Sequence, residues 1–259
     1  MFLSETSDSD QCLTATSVFT SAAAGNFAVP LLDSEEQGAS TTHQGSELAE
    51  RRSKIASAPW TWLRQVHGDR VVVVEAAGQF AGEQADASVT AATGAVLCVQ
   101  TADCAAVLFT GTRAQEGATR TNNHCVVAVG AAHAGWRGVS AGILQKTVAE
   151  LLALGAEQVS WQLGPCISPV AYEFGPSDLQ ALVDRYGEPV RSVTSTGAPA
   201  LDLREAVRSA LSETTAVNES AARIPCTATD PGYFSWRARR DTSRQTAAIW
   251  MDTKEGSLC

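Results

Sequence analysis

Short apolar runs rich in valine mark the chain from Val71 to Glu75, from Ala95 to Gln100, from Ala105 to Phe109 and from Cys125 to Ala131. Runs of this length, β-branched and bounded by polar clusters, predict buried strands of one layered sheet system. After Gly138 the period changes. Val139, Ile143, Val148, Leu151 and Leu152 recur at helical spacing, and Gly155 is placed to cap that helix in the left-handed conformation. Gln158 to Leu163 alternates Val159, Trp161 and Leu163 on one face, as a strand does. Leu179, Leu182, Val183 and Tyr186 then describe a second helix ended by Gly187. A third helix follows Asp202, which stands at capping-box spacing from Glu205, with Leu203, Val207 and Leu211 on its buried stripe.

Between these elements the polar segments predict connections. Residues 33 to 58, rich in Ser, Gln, Glu and Ala, read as a loop and a short surface helix. The stretch from Gly111 to His124 has turn composition and no period, and is expected to be an exposed loop. Strands and helices alternate irregularly, without an internal repeat, and no glycine-rich phosphate loop opens any helix. At 259 residues and 44% hydrophobic, the chain can bury one sizeable core, and one domain over 1–259 is expected, with a divergent segment at 1–58.

Charge and cysteine usage narrow the function. A net charge of −9 disfavours binding to a nucleic-acid backbone or an anionic lipid surface, and leaves small molecules open. Seven scattered cysteines, odd in number and never spaced as C-x-x-C, argue against a disulfide framework and for a reducing compartment. The amino terminus carries acids where a signal peptide needs a basic region, and no stretch is long enough to span a bilayer, so the expected location is the cytoplasm.

Two of the four histidines stand at element ends: His67 in Gln65-Val66-His67-Gly68, and His133 in His133-Ala134-Gly135-Trp136-Arg137-Gly138. Cys104, in Thr101-Ala102-Asp103-Cys104, links two apolar runs at a strand edge. Two imidazoles and one thiolate suit zinc, and three protein ligands leave one tetrahedral position open, the arrangement of a catalytic site. The residues alone support equally a buried small thiol and hydrogen-bonded loop histidines.

The segments QVHG, DASVT, TADC, HAGWRG, GPCIS with AYEF, and FSWRARRDTSRQ closely resemble, in wording and in order, the YfiH family, from about Trp60 to the carboxyl terminus. That family was first labelled multicopper polyphenol oxidase, or laccase-like, and is now associated with purine nucleoside phosphorylase, methylthioadenosine phosphorylase and adenosine deaminase activities. The resemblance implies an α+β fold, a single layered domain with mixed β-sheets packed between helices, similar to the catalytic domain of cytotoxic necrotizing toxins. It also implies a metal triad of His67, Cys104 and His133, binding Zn2+ with copper as the alternative. Purine nucleosides and phosphate are the implied substrates, and a monomer or weak homo-oligomer is expected. The family's amino-terminal arginine and paired glycines are replaced by Phe19-Thr20-Ser21-Ala22-Ala23-Ala24-Gly25. Its proline and aspartate after TADC give way to Ala106 and Thr110, and a late glycine to Ser243.

Around the triad, Asp103 and Cys104 are candidates to move a proton during deamination. Arg137, just ahead of a helix, is the leading candidate to bind phosphate, with Arg64 and Arg244 behind it. Trp136 can stack on a base, though core packing is the commoner role. Asp86 either opens a strand or orients a ligand imidazole, and the second role is favoured. Two other chemistries compete with the purine reading. A copper polyphenol oxidase needs many imidazoles, and this chain has four. A thiol hydrolase or amidase, with Cys104 as nucleophile and His133 as base, acting on cell-wall precursors, uses the same residues.

Overall fold

The computed structural model describes residues 13–29, 38–114, 124–214, 217–219 and 224–253. In chain order these form β1 (Leu13–Phe19), α1 (Gly38–Ser53), β2 (Trp60–Thr61), β3 (Val71–Val73), β4 (Ala87–Thr90), β5 (Val96–Thr101) and β6 (Ala105–Ala114). There follow β7 (His124–Ala134), α2 (Trp136–Ala141), α3 (Ile143–Ala153), β8 (Gln158–Leu163), α4 (Pro176–Tyr186), β9 (Arg191–Val193) and β10 (Pro199–Leu201). The chain ends with α5 (Leu203–Ser212), β11 (Val217–Glu219), α6 (Trp236–Arg239) and β12 (Gln245–Thr253).

Ten strands share one mixed sheet in the order β11-β8-β6-β7-β1-β12-β5-β2, with β4 joined to β7 and β3 to β4. Most neighbours are antiparallel; β11–β8, β2–β5 and β3–β4 are parallel. The sheet is buried on both faces, and β6 shows how. Its Val107 and Phe109 face the core shared with Ile143, Val148 and Leu151 of α3, Leu179 and Leu182 of α4 and Val207 of α5. Its Ala106 and Leu108 face a second core with Leu97, Val99, Val129, Ala131 and Ile249, where the sheet curls so that β5 and β12 approach β6 and β7. A third, smaller cluster of Trp60, Val96, Cys98 and Ala248 lies outside that curl, with Ile55, Ala56 and Ala58 after α1 packed on it. The fold is therefore α+β around a mixed sheet, with helices α2 to α5 on one face and the second face closed mainly by the sheet itself. Among the described residues no helix is long and apolar enough to cross a membrane.

Several elements differ from the sequence expectation for local reasons. The helix expected after Gly138 is two helices, because Gly142 at φ +91° breaks α2 from α3. Gly155, at φ +96°, takes the left-handed conformation expected of it. The polar stretch after Gly111 begins inside the sheet: β6 runs on to Ala114 and β7 starts at His124, and residues 115–123 lie outside the described residues. A bulge between Gly111 and Thr112 lets β6 continue, and a Cβ at Gly111 would lie 2.7 Å from the Ala156 Cβ, so only glycine fits that crossing. The short surface helix expected within 33–58 is a 16-residue helix, α1. The helix of Leu179 to Tyr186 begins at Pro176 and stops before Gly187, and the Asp202 carboxylate accepts from the amides of Arg204 and Glu205, capping α5 as expected.

Candidate metal centre

The sheet brings three strand ends together. Cys104 immediately precedes β6, His133 is the penultimate residue of β7, and the antiparallel register sets Ala105 opposite Ala134 and Ala106 opposite His133. Asp86 precedes β4, which pairs Ala87 with Ala132, and the His133 amide donates to the Asp86 carbonyl at 2.7 Å. His133 thus belongs to a strand, where the sequence placed it in the connection beyond one.

His67 sits on the loop between β2 and β3 with φ +60°, a left-handed conformation that costs a non-glycine residue of order 1 kcal/mol. The fully buried Asp86 carboxylate compensates. It accepts from the backbone amides of Val66 at 3.2 Å, His67 at 2.9 Å and Gly68 at 2.8 Å. Its Oδ1 also accepts from His133 Nδ1 at 2.8 Å, which keeps the proton on Nδ1 and turns Nε2 toward Cys104. One carboxylate therefore positions both imidazoles. Asp86 is placed as the orienting group, with its oxygens committed to the chain.

The ligating atoms of His67, Cys104 and His133 all lie within 4.8 Å of one another. Cys104 Sγ is 3.7 Å from His67 Nε2, and the two imidazoles meet edge to face with centroids 4.7 Å apart. His67 is exposed, Cys104 half-buried and His133 buried, so the cluster opens to solvent on one side. Two glycines make it possible. A Cβ on Gly135 would lie 2.6 Å from His67 Cδ2 and 3.4 Å from Cys104 Sγ, and one on Gly138 2.9 Å from the Gly68 carbonyl oxygen. The same two glycines punctuate the HAGWRG motif.

Burial by itself would raise the Cys104 thiol, but His133 and then His67 beside it bring its pKa down to about 6. Burial would likewise lower His133, yet the Cys104 thiolate and the Asp86 carboxylate hold it up at about 9. The two form a thiolate–imidazolium pair at neutral pH. Two imidazole nitrogens and a soft anionic sulfur within one small cradle fit a divalent transition metal.

The remaining candidates fall into different places. Asp103, at φ +97°, turns the chain between β5 and β6. Its Oδ1 accepts from Thr227 Oγ1 at 2.7 Å and Ser235 Oγ at 2.6 Å, and its Oδ2 from the Arg237 amide at 2.6 Å. Arg137 is exposed, with its guanidinium 4.3 Å from the Trp136 ring centroid. Trp136 is half-buried and packs edge-on against Phe174 at 5.2 Å, which in turn meets Tyr172 at 5.3 Å. Arg64 is exposed, with its backbone bridged to the 83–84 turn. Arg244 directs its guanidinium to the carbonyls of Asp241 and Ser243, holding its own loop.

Sequence reasoning missed Tyr172, Phe174 and Arg237. The Arg237 guanidinium lies 4.9 Å from the Tyr172 ring centroid and donates to the Glu173 carbonyl at 2.8 Å. Burial, and then the charge of Cys104, push the Tyr172 hydroxyl above the usual phenol range. Trp136, Phe174 and Tyr172 thus form an aromatic wall with a guanidinium stacked on each end. The AYEF and FSWRARR motifs were the available signal, but nothing in their spacing said which side chains turn toward Cys104.

A family model described as multi-copper polyphenol oxidoreductase laccase matches residues 19–252, beginning at Phe19, well ahead of Trp60. The chain is 31% identical over 241 residues to a Mycobacterium tuberculosis protein named purine nucleoside phosphorylase, covering 90% of this chain and 91% of that one. It is 31% identical over 234 residues to the Escherichia coli K12 protein named purine nucleoside phosphorylase YfiH, covering 88% and 90%. Its fold matches the crystal structure of a Neisseria meningitidis protein with a TM-score of 0.68 at 26% identity, over 92% of this chain and 94% of that one.

Proposed function

We propose, since this chain belongs to the YfiH family, whose model is described as multi-copper polyphenol oxidoreductase laccase, that it is a zinc enzyme of purine nucleosides. The activities proposed are phosphorolysis of adenosine, inosine, guanosine and methylthioadenosine, and deamination of adenosine, in the cytoplasm. The observation that carries the reading is the convergence of the His67, Cys104 and His133 ligating atoms within 4.8 Å. The names of the relatives supply the substrate class.

When bound at these three residues, zinc supplies Lewis-acid polarisation to water or to the reacting substrate. The chain's own groups do the rest. Asp86 holds Nδ1 protonated on His133 and fixes the His67 loop. Half-buried Trp136 offers its indole face to a purine, and the buried rings of Phe174 and Tyr172, packed edge to face behind it, keep it in place. Arg137 and Arg237, stacked on the two ends of the wall, bring positive charge to a phosphate. Asp103 serves as a positioning residue, because its bonds to Thr227, Ser235 and Arg237 anchor the segment that carries Arg237.

A second reading has its own support. A thiol at about 6 in contact with imidazoles has the electrostatics of a cysteine nucleophile, which fits a thiol hydrolase or amidase. A multicopper oxidase is less well supported, since a chain with four histidines cannot furnish a blue-copper site and a copper cluster. Metal analysis with a nucleoside panel separates these readings. Purified protein is expected to carry about one zinc per chain and to release purine bases and inosine from nucleosides supplied with phosphate. Chelation and Cys104→Ala each abolish turnover. Undiminished turnover in the chelated, metal-free protein would transfer the case to the thiol reading, and undiminished turnover in Cys104→Ala would sink both.

A further inference from the structure

On the outer face of β2 and β5, away from the metal centre, lies a cavity of about 400 Å³ between α1 and the segment from Ala56 to Trp62. Its size is that of a small-molecule site. Val29, Leu48, Pro59, Trp60 and Trp62 give it apolar walls, and Arg52 is the cation that lines it. None of the metal-centre residues contributes to it.

Arg52 is the feature that the fold leaves unresolved. Its Nε and Nη2 are buried and meet no hydrogen-bond acceptor among the described residues. The acids of its own helix are engaged elsewhere: Glu47 pairs with Arg51 at 2.7 Å and Glu50 with Lys54 at 2.7 Å. The Cys98 thiol beneath is pushed up by burial to about 11, so it stays neutral and offers no counter-charge. What Arg52 does have is two indoles, with its guanidinium carbon 5.5 Å from the Trp60 ring centroid and 5.9 Å from that of Trp62. Those contacts orient a cation without neutralising it. Arg52 is half-buried, and two buried guanidinium donors that meet no acceptor among the described residues carry a desolvation cost that an anion entering the cavity would offset.

We propose that this cavity binds a small organic monocarboxylate with an apolar body, its charge met by Arg52 and its body held against Trp60, Trp62 and the aliphatic wall. Arg52 is the one charged residue of a lining whose other polar side chains are Ser53 and Ser57, so the site matches one negative charge. Inorganic phosphate brings a second charge, which no second cation in the lining meets, and no body to fill the walls.

Calorimetric titration of the full chain with octanoate and 2-naphthoate, against octanamide and 2-naphthamide as neutral counterparts, tests this. At least one acid is expected to bind saturably at one site, with its amide about tenfold or more weaker. Arg52→Met, which keeps the aliphatic stem over the indoles, is expected to erase that difference while leaving metal content unchanged. Inorganic phosphate is expected neither to bind there nor to displace the acid. Equal binding of acid and amide to the unaltered chain, unchanged acid affinity in Arg52→Met, phosphate binding in place of the acids, or no saturable binding by either acid would each overturn the proposal.

Discussion

At the scale of single residues, the Asp86 carboxylate couples two distant parts of the chain, accepting three amides from the His67 loop and the Nδ1 proton of His133. Asp86→Asn would turn an amide donor toward groups that are themselves donors. It is expected to cost about 2–4 kcal/mol in urea denaturation and to weaken metal binding by about 10–100-fold. Unchanged metal affinity would show that His133 does not need its partner. Gly135 is as exposed to test: Gly135→Ala places a methyl 2.6 Å from His67 Cδ2 and is expected to lower metal content while circular dichroism stays native. Metal entry has a proton signature too. With Cys104 at about 6 and His133 at about 9, the metal-free centre at pH 7 holds a thiolate and an imidazolium, and a ligand imidazole must be neutral. Titrating zinc in buffers of different ionisation enthalpy should therefore show about one proton released by this pair at pH 7, rising toward two below 6 and vanishing above 9. Pair-derived release that stays flat across that range would refute the pairing. Scarcity of histidine drew attention to His67 and His133, but the residues alone fitted loop histidines and a buried thiol equally well, and it was the family resemblance that joined them with Cys104. Tyr172 and Arg237 were not legible, since only packing decides that the Arg237 guanidinium meets the Tyr172 ring 65 residues away.

At the scale of elements, the centre is an outcome of register. β6 pairs with β7 so that Cys104 and His133 emerge side by side, and β4 adds Asp86 on the opposite flank of β7. Valine-rich β5, β6 and β7 declared themselves in the sequence. β1 and β12 did not: LTATSVF and QTAAIWMDT mix small and polar residues, and their pairing over Leu13 to Phe19 rests on backbone bonds between the two ends of the chain. Sequence separation hides such partners from any local pattern. The link from Asp103 to α6 is of the same kind, joining residues 103 and 235. Asp103→Asn weakens the acceptor for the Ser235 hydroxyl and the Arg237 amide without touching a metal ligand. Metal content is therefore expected to hold while the KM for phosphate rises several-fold, more than kcat falls, because the loosened group is the one that presents Arg237. A kcat loss with KM unchanged would place Asp103 in the chemistry instead.

At the scale of the whole molecule, the sheet's curl was beyond the reach of periodicity. Strands buried on both faces read as unbroken apolar runs, so the pattern announces burial without saying what covers each face. Family resemblance had to supply the architecture, and net charge only set aside polyanionic partners. The same double burial decides what the metal does for stability. In a zinc finger the ligands have no scaffold until the ion arrives, so the metal-free chain unfolds. Here His133 is held in β7, Cys104 in the β5–β6 turn, and His67 by the amides around Asp86, and two cores of buried aliphatic side chains stand independently of the cluster. Metal can then add only its binding free energy, about 2.7 kcal/mol at a hundredfold excess over Kd. For a chain of this size that corresponds to about 5–10 °C in Tm. Exhaustive chelation is accordingly expected to lower the melting temperature by that amount while the far-ultraviolet spectrum of the sheet persists, and restoring zinc should recover it. A chelated chain that loses its sheet signal at 25 °C would mean that the donors assemble the fold, reversing the order of cause inferred from the strand register.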